Sequence, residues 1–208
     1  MNGLILLFLL LCLFGGIENN GILQKGDLIF QSETLSEFSD AIAVAGSPDS
    51  TSNLRFVHVG IIDFTKYGEY EIIEADPEVG VRAISLESFL KNSPGNSKFV
   101  IKRLNINFPV KDVIERARKN IGKKYDWYYL PDNDMIYCSE LIYDSYLDKE
   151  GNHIFHASPM SFKDKDGNYP MFWVELFNEL GIEIPEGIYG TNPNDISSDT
   201  SLSTVIIL

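Results

Sequence analysis

The sequence predicts an α+β domain in which a small antiparallel sheet packs against a helix that opens at Cys138. Three stretches predict it. Arg55–Phe64, RFVHVGIIDF, alternates: Phe56, His58, Gly60, Ile62 and Phe64 share one face, and Val57, Val59, Ile61 and Asp63 the other. Tyr70–Ala75, YEIIEA, returns after a turn at Tyr67-Gly68 as the antiparallel partner, with Tyr70, Ile72 and Glu74 on one face. After Cys138, the residues Leu141, Ile142, Ser145 and Tyr146 recur at helical spacing. The helix is expected on the face of this hairpin, on the same side of the sheet as His58.

The other elements follow from local signals. Gln24–Asp27 is a turn before a short strand at Leu28–Phe30. Thr34–Ala45 reads as a helix, with Leu35, Phe38, Ile42 and Ala45 near one face, and Gly46–Ser50 breaks it. Val81–Ile84 is a third strand of the hairpin region, Leu86–Lys91 a short helix, and Phe99–Leu104 another strand. Asp112–Ile121 is amphipathic, with Val113, Ile114, Ala117 and Ile121 inward and Gly122 just past its end. Beyond the cysteine helix, His156–Phe162 reads as a strand, Pro170–Leu180 as a helix stopped by Gly181, Pro185–Asp195 as loop, and Thr204–Leu208 as a closing strand.

A chain of 208 residues, 44% hydrophobic and 23% charged, has enough apolar material for one folded core. Its net charge of −13 excludes a nucleic-acid partner, because no basic stripe is present to displace counterions from phosphates. Leu4–Phe14 is an unbroken apolar run of the length of a signal-peptide core and too short to span a bilayer. No Lys or Arg precedes it, and Phe14 stands where a small residue is favoured before a cut at Gly16. The expected organisation is a signal peptide over residues 1–20 and a single domain over 21–208, exported to the periplasm or cell envelope with no integral membrane span. Cys12 would leave with the signal, and the large Leu11 before it does not suit lipidation. Cys138 is then the only thiol, and an unpaired thiol in an oxidising compartment points to reactivity.

A lone cysteine is most often a small buried core residue, so its companions decide. At a helix start, free backbone N–H groups and the helix dipole favour the thiolate. The thiolate also needs a base held in one tautomer by a third group. His153 and His156 lie in a turn-rich segment. His58 is mid-strand, beside Gly60 on the same face, and a missing side chain there marks a close approach. Glu74 on the returning strand stands roughly opposite. It either accepts the far N–H of His58 or faces solvent and pairs with Arg82 or Lys66. No His-x-x-x-His, paired-cysteine or phosphate-loop pattern is present, so no metal or cofactor is expected.

The order GDLIF, HVGII, IIEA, GKKYDW, YCSELIYDSY, IPEG and GTNPNDIS, from Leu23 to Ser198, resembles the YiiX-like permuted papain-like amidases and peptidases. These are a branch of the NlpC-type cell-wall hydrolase superfamily. The resemblance implies a papain-like core in permuted order, with the histidine strand before the cysteine helix. It implies Cys138 as nucleophile, His58 as general base and Glu74 as the third member, with the Cys138 N–H meeting the oxyanion. Tyr125, Asp126 and Tyr137 are candidates for substrate binding, each with aromatic core or loop cap as the alternative.

The function expected is a cysteine hydrolase cleaving an amide, with a peptidoglycan stem peptide as the substrate class that the family suggests. The related lecithin–retinol acyltransferase branch suggests instead a lipid or N-acyl substrate, for hydrolysis or acyl transfer. A deep apolar groove beside Cys138 would favour that class, and a polar cleft a peptide. A catalytically silent binding module is the third reading, and the intact Cys138, His58 and Glu74 argue against it.

Overall fold

The computed structural model describes residues 22–32, 41–42, 54–164 and 166–208. The apolar N-terminal run, the helix expected over Thr34–Ala45 and the loop after it lie outside the described residues, except Ala41 and Ile42, which are helical.

The hairpin forms as its alternation demands. β2 (His58–Phe64) and β3 (Tyr70–Asp76) are antiparallel, with Gly60 across from Glu74 and Ile62 across from Ile72. β4 (Gly80–Ser85) adds to the far side of β3, and β1 (Leu28–Ser32) to the other side of β2. β5 (Lys98–Leu104) and β8 (Leu202–Ile207) complete a six-stranded sheet in the order β4-β3-β2-β1-β5-β8, every neighbouring pair antiparallel.

Alternation along these strands sorts the core into two clusters. Leu28, Phe30, Val59, Ile61, Ile73 and Ala75 pack with Leu141 and Ile142 of α3 (Cys138–Ser145) and with Val113, Ile114 and Ala117 of α2 (Val110–Lys119). Ile29, Ile62, Ile72, Phe99 and Ile101 pack on the other side with Leu86 and Phe89 of α1 (Leu86–Asn92). The period of two in the strand forces this division, since neighbours in sequence point to opposite faces. α1 starts where Ser85 Oγ accepts the N–H of Ser88 at 3.1 Å.

Gly60 has a purpose other than the one its sequence context suggested. A Cβ there would lie 2.6 Å from Ile72 Cγ2, 3.3 Å from the Ile73 carbonyl oxygen and 3.6 Å from Glu74 Cβ. The close approach is therefore made by the neighbouring strand. Alanine would normally be preferred to glycine in a strand by up to about 1 kcal/mol. Here the contact with a fully buried Ile72 reverses the sign. Gly60→Ala is expected to destabilise the domain by about 1–3 kcal/mol, read as a lower midpoint in denaturant titration.

Four local expectations need correction. α2 ends at Lys119 and Asn120 caps it, so Ile121 is out of phase with the inward face and is 43% exposed. Gly122, at φ +96°, lies beyond the cap and donates its N–H to Val81 O at 2.9 Å, which docks this turn on β4. The strand expected at His156–Phe162 shrinks to β6 (Ser158–Pro159), paired only with β7 (Tyr189–Gly190). Pro159 has no N–H with which to extend a ladder. The segment read as loop over Pro185–Asp195 holds β7 and the start of α5 (Pro193–Ser197). Asn192 caps α5 through its side chain to Asn194 N, and Pro193 opens it. α4 (Met171–Leu180) ends at Gly181, which adopts the left-handed conformation at φ +70°. Among the described residues no helix is long and apolar enough to cross a membrane.

Candidate active site

Cys138 is the first residue of α3 and is 3% exposed. The N–H groups of the first turn have no intrahelical acceptor, so they and the dipole place positive potential at the sulfur. Tyr137, the residue before, donates its N–H to Glu140 Oε2 at 3.2 Å, which fixes the helix start. Burial pushes the Glu140 carboxyl up to about 8. At neutral pH it is therefore mostly protonated and adds little negative charge beside a thiolate.

His58 opens β2 and Glu74 lies near the end of β3. His58 Nε2 and Glu74 Oε2 are 2.6 Å apart. Glu74 is 2% exposed. The ring of His58 stacks on Phe89 of α1, with centroids 6.0 Å apart. Burial alone would lower the His58 pKa, but hydrogen bonds to Cys138 and Glu74 and their negative charges raise it to about 10. With Nε2 committed to Glu74, Nδ1 is the nitrogen left for the thiol. The Glu74 carboxyl is held below its ordinary value: burial raises it, and His58 and Arg82 together outweigh burial. Glu74 thus serves His58 and Arg82 at once, because Arg82 Nε donates to its Oε1 at 2.9 Å while His58 occupies Oε2, and the alternative in which it faces solvent is overturned by its burial.

One part of the expected geometry changes. The body of α3 packs on the strand face carrying Val59, Ile61, Ile73 and Ala75, whereas Gly60 and Glu74 belong to the face covered by α1. Cysteine and histidine meet at the end of the sheet, because each is the first residue of its element.

Two cavities flank this pair. The one beside Cys138, about 130 Å³, is lined chiefly by Ile42, Tyr129, Tyr137, Met160, Phe162 and Trp173, with Ser139, Thr191 and Asp195 among its polar members. The one beside His58, about 200 Å³, is lined by Gln31, Glu74, Asp76, Arg82, Phe89 and Asn92, among others. Tyr125 lines both. The aromatic wall is built by edge-to-face contacts of Trp173 with Tyr129 and Phe162, centroids 5.5 and 5.1 Å apart. Burial pushes the hydroxyls of Tyr125, Tyr129 and Tyr137 up, so all three stay protonated.

Of the residues singled out in the sequence, Cys138, His58, Glu74, Tyr125 and Tyr137 are brought together. Asp126 is not. It is fully buried, and its oxygens accept from Tyr128 N, Leu130 N and Asn133 Nδ2, so it ties up the loop leading to α3. Sequence reasoning missed Asn194. Its side chain accepts from Phe56 N at 2.7 Å and donates to Phe56 O at 2.9 Å, completing the backbone two residues before His58. Thr191 was missed as well. Its N–H donates to the Tyr137 hydroxyl and its carbonyl accepts from Ser139 Oγ, both at 3.1 Å, which fastens the Tyr189–Gly190 segment to the start of α3.

A sheet that delivers histidine and carboxylate to the N-terminus of a cysteine-bearing helix is a papain-like α+β fold, here with the strand ahead of the helix. Residues 22–206 match the family described as permuted papain-like amidase enzyme, YaeF/YiiX, C92 family, and the chain belongs to that family. It is 24% identical over 185 residues to YiiX of Escherichia coli K12, a protein described as uncharacterized, covering 88% of this chain and 85% of YiiX. The crystal structure described as metalloprotein yiiX from Escherichia coli O157:H7 has the same fold, with a TM-score of 0.69 and 23% identity over 88% of this chain and 96% of that one. Among the described residues here, no three His, Cys, Asp or Glu side chains are grouped to hold a metal ion. His58 Nε2 and both Glu74 oxygens are engaged with each other and with Arg82.

Proposed function

We propose that this protein is a cysteine amidase in which Cys138 is the nucleophile, His58 the proton carrier and Glu74 the group that orients it. The observation that carries this reading is the line Cys138–His58–Glu74, in which Cys138 and Glu74 are buried and His58 Nε2 lies 2.6 Å from Glu74 Oε2. The reaction starts from the Cys138 thiolate beside the His58 imidazolium. The Cys138 sulfur attacks the amide carbonyl carbon, and the oxyanion forms toward the Cys138 N–H. The imidazolium gives its proton to the leaving nitrogen, the C–N bond breaks and a thioester remains. Neutral His58 then takes a proton from water, whose oxygen attacks the thioester. The acid leaves and the ion pair is restored.

The cavity lining favours an apolar acyl group on the amide over a polar stem peptide, since aromatic and aliphatic side chains dominate beside Cys138. An amide with an apolar acyl group is therefore the preferred substrate class, with a cell-wall stem peptide the second. Export to the cell envelope is proposed with it, on the apolar run Leu4–Phe14. Release of amine from an amide with an apolar acyl group and from a stem peptide would be compared, with Cys138→Ala as the control. Faster turnover of the acyl amide is expected. Turnover of the stem peptide alone would contradict the acyl assignment, and turnover by the control would contradict the nucleophile.

Glu74→Gln is expected to slow turnover about 10- to 100-fold with the fold retained. It removes a hydrogen bond to a charged group, which contributes about 1.5–3 kcal/mol, and each step of about 1.4 kcal/mol is tenfold in rate. Activity equal to wild type would make Glu74 purely structural.

A further inference from the structure

Glu74 is buried and 2.6 Å from an imidazole, so the shared proton can rest on either partner. Burial favours the neutral carboxyl. If the proton passed to Glu74, His58 would be left neutral beside Cys138 and the thiolate would lose its counter-charge. Something must keep the carboxylate ionised and aimed.

Arg82 stands directly across from Glu74 in the β3–β4 ladder. Its Nε donates to Glu74 Oε1 at 2.9 Å, and its Nη2 donates to Asp76 Oδ2 at 2.7 Å. Asp76 is fixed in turn, because its Oδ1 accepts the N–H groups of Glu78 and Val79, each at 2.9 Å, in the turn joining the two strands. That turn is anchored by Gly80, at φ +88°, where a Cβ would lie 2.2 Å from the Lys123 carbonyl oxygen. The next residue, Val81, donates its N–H to that oxygen at 2.9 Å. A continuous line of contacts therefore runs from a rigid turn through Asp76, Arg82, Glu74 and His58 to Cys138.

We propose that Arg82 is the positioning residue of this site, clamped by Asp76 and holding the Glu74 carboxylate in register with His58. The inference rests on the reading of Cys138 and His58 as nucleophile and base. Arg82 suits the task because guanidinium is always charged and its planar fork can serve two carboxylates at fixed angles. An exposed ion pair contributes little, but here the central carboxylate is 2% exposed and cannot turn to water instead. The titratable and charged groups facing the Glu74–His58 pair are Cys138 from α3, Asp76 from β3, Arg82 from β4 and Tyr125 from the segment before α3. From α1, Phe89 and Asn92 face it, and both are uncharged.

The test is the pH dependence of Cys138 alkylation by iodoacetamide in the folded chain, which needs no substrate. Alkylation falls at low pH as the buried set takes up a proton. In Arg82→Met that acid limb is expected to move upward by about one pH unit or more, since the carboxylate has lost its cation. Arg82→Lys should recover part of the shift, keeping the charge without the fork. Asp76→Asn should give a smaller shift in the same direction, and serves if Arg82→Met does not fold. Against a Glu74→Gln background, Arg82→Met should add no further shift. An acid limb unmoved in folded Arg82→Met, with a normal wild-type profile, overturns the role of Arg82 alone. A wild-type profile with no low-pH reactivity overturns the nucleophile reading and this proposal together.

Discussion

Cys138→Ser is expected to abolish amide hydrolysis, with a loss on the order of 10⁴-fold or more, as for removal of other catalytic nucleophiles. The site is arranged for a thiolate. Helix-terminal N–H groups and the imidazolium of His58 favour negative charge on the sulfur, and Glu140, its carboxyl pushed up by burial, opposes it little. A serine hydroxyl ionises far less readily than a thiol, and an imidazolium already protonated by its partners cannot take the hydroxyl proton. The oxygen is only slightly smaller than the sulfur it replaces, so the fold should be retained, with at most a modest fall in thermal midpoint from burying a hydroxyl. Assay of amine release from an N-acyl amide, with a melting curve for each protein, checks both parts. Serine activity within about tenfold of wild type would mean the attacking group lies elsewhere.

His58→Ala is expected to reduce turnover by about 10²–10⁴-fold, the range for removing a general acid–base group. The wild-type profile should carry the same signature. His58 has its folded pKa raised from 6.5 to about 10. Its stabilising contribution is therefore present in full below about 6.5 and lost as pH rises through about 10. The imidazolium is also the proton donor to the leaving nitrogen, so turnover of the folded enzyme should fall as pH rises through about 10. Glu74 acts with the opposite sign: its pKa is depressed, so its contribution is present above the ordinary carboxylate value and lost as pH falls through the lower folded one. In His58→Ala the alkaline loss of activity near pH 10 should vanish. Its persistence would assign that loss to another group.

The sheet and the cysteine helix were legible because their signals are local. Alternation in HVGIIDF and YEIIEAD fixes two strands and their faces, and helical spacing after Cys138 fixes α3. The pairing of His58 with Glu74 was legible for the same reason, since a short hairpin limits the possible registers. What lay out of reach depends on register across longer connections or on distant segments. Arg82 was already a candidate partner of Glu74, but the second arm of its fork, to Asp76, is seen only once β3 and β4 are aligned residue by residue. Asn194 acts on Phe56 across 138 residues, and no spacing in the chain announces that contact. The start of α5 did carry a signal, an asparagine followed by proline, which was overridden by the Gly- and Pro-rich run around it. Meeting at the sheet end was not legible either, because a period of two reports the face of a residue and not how near it stands to the end of its strand.

The central claim is that Cys138 and His58 form an ion pair, and the most direct measurement is the rate of Cys138 alkylation by iodoacetamide as a function of pH. For wild type, alkylation at about pH 6 is expected to be rapid, because the ion pair keeps the sulfur nucleophilic. In His58→Ala alkylation at that pH should slow by about tenfold or more, because only the helix terminus remains to favour the thiolate. Equal rates in the two proteins would contradict the account and leave Cys138 a core cysteine.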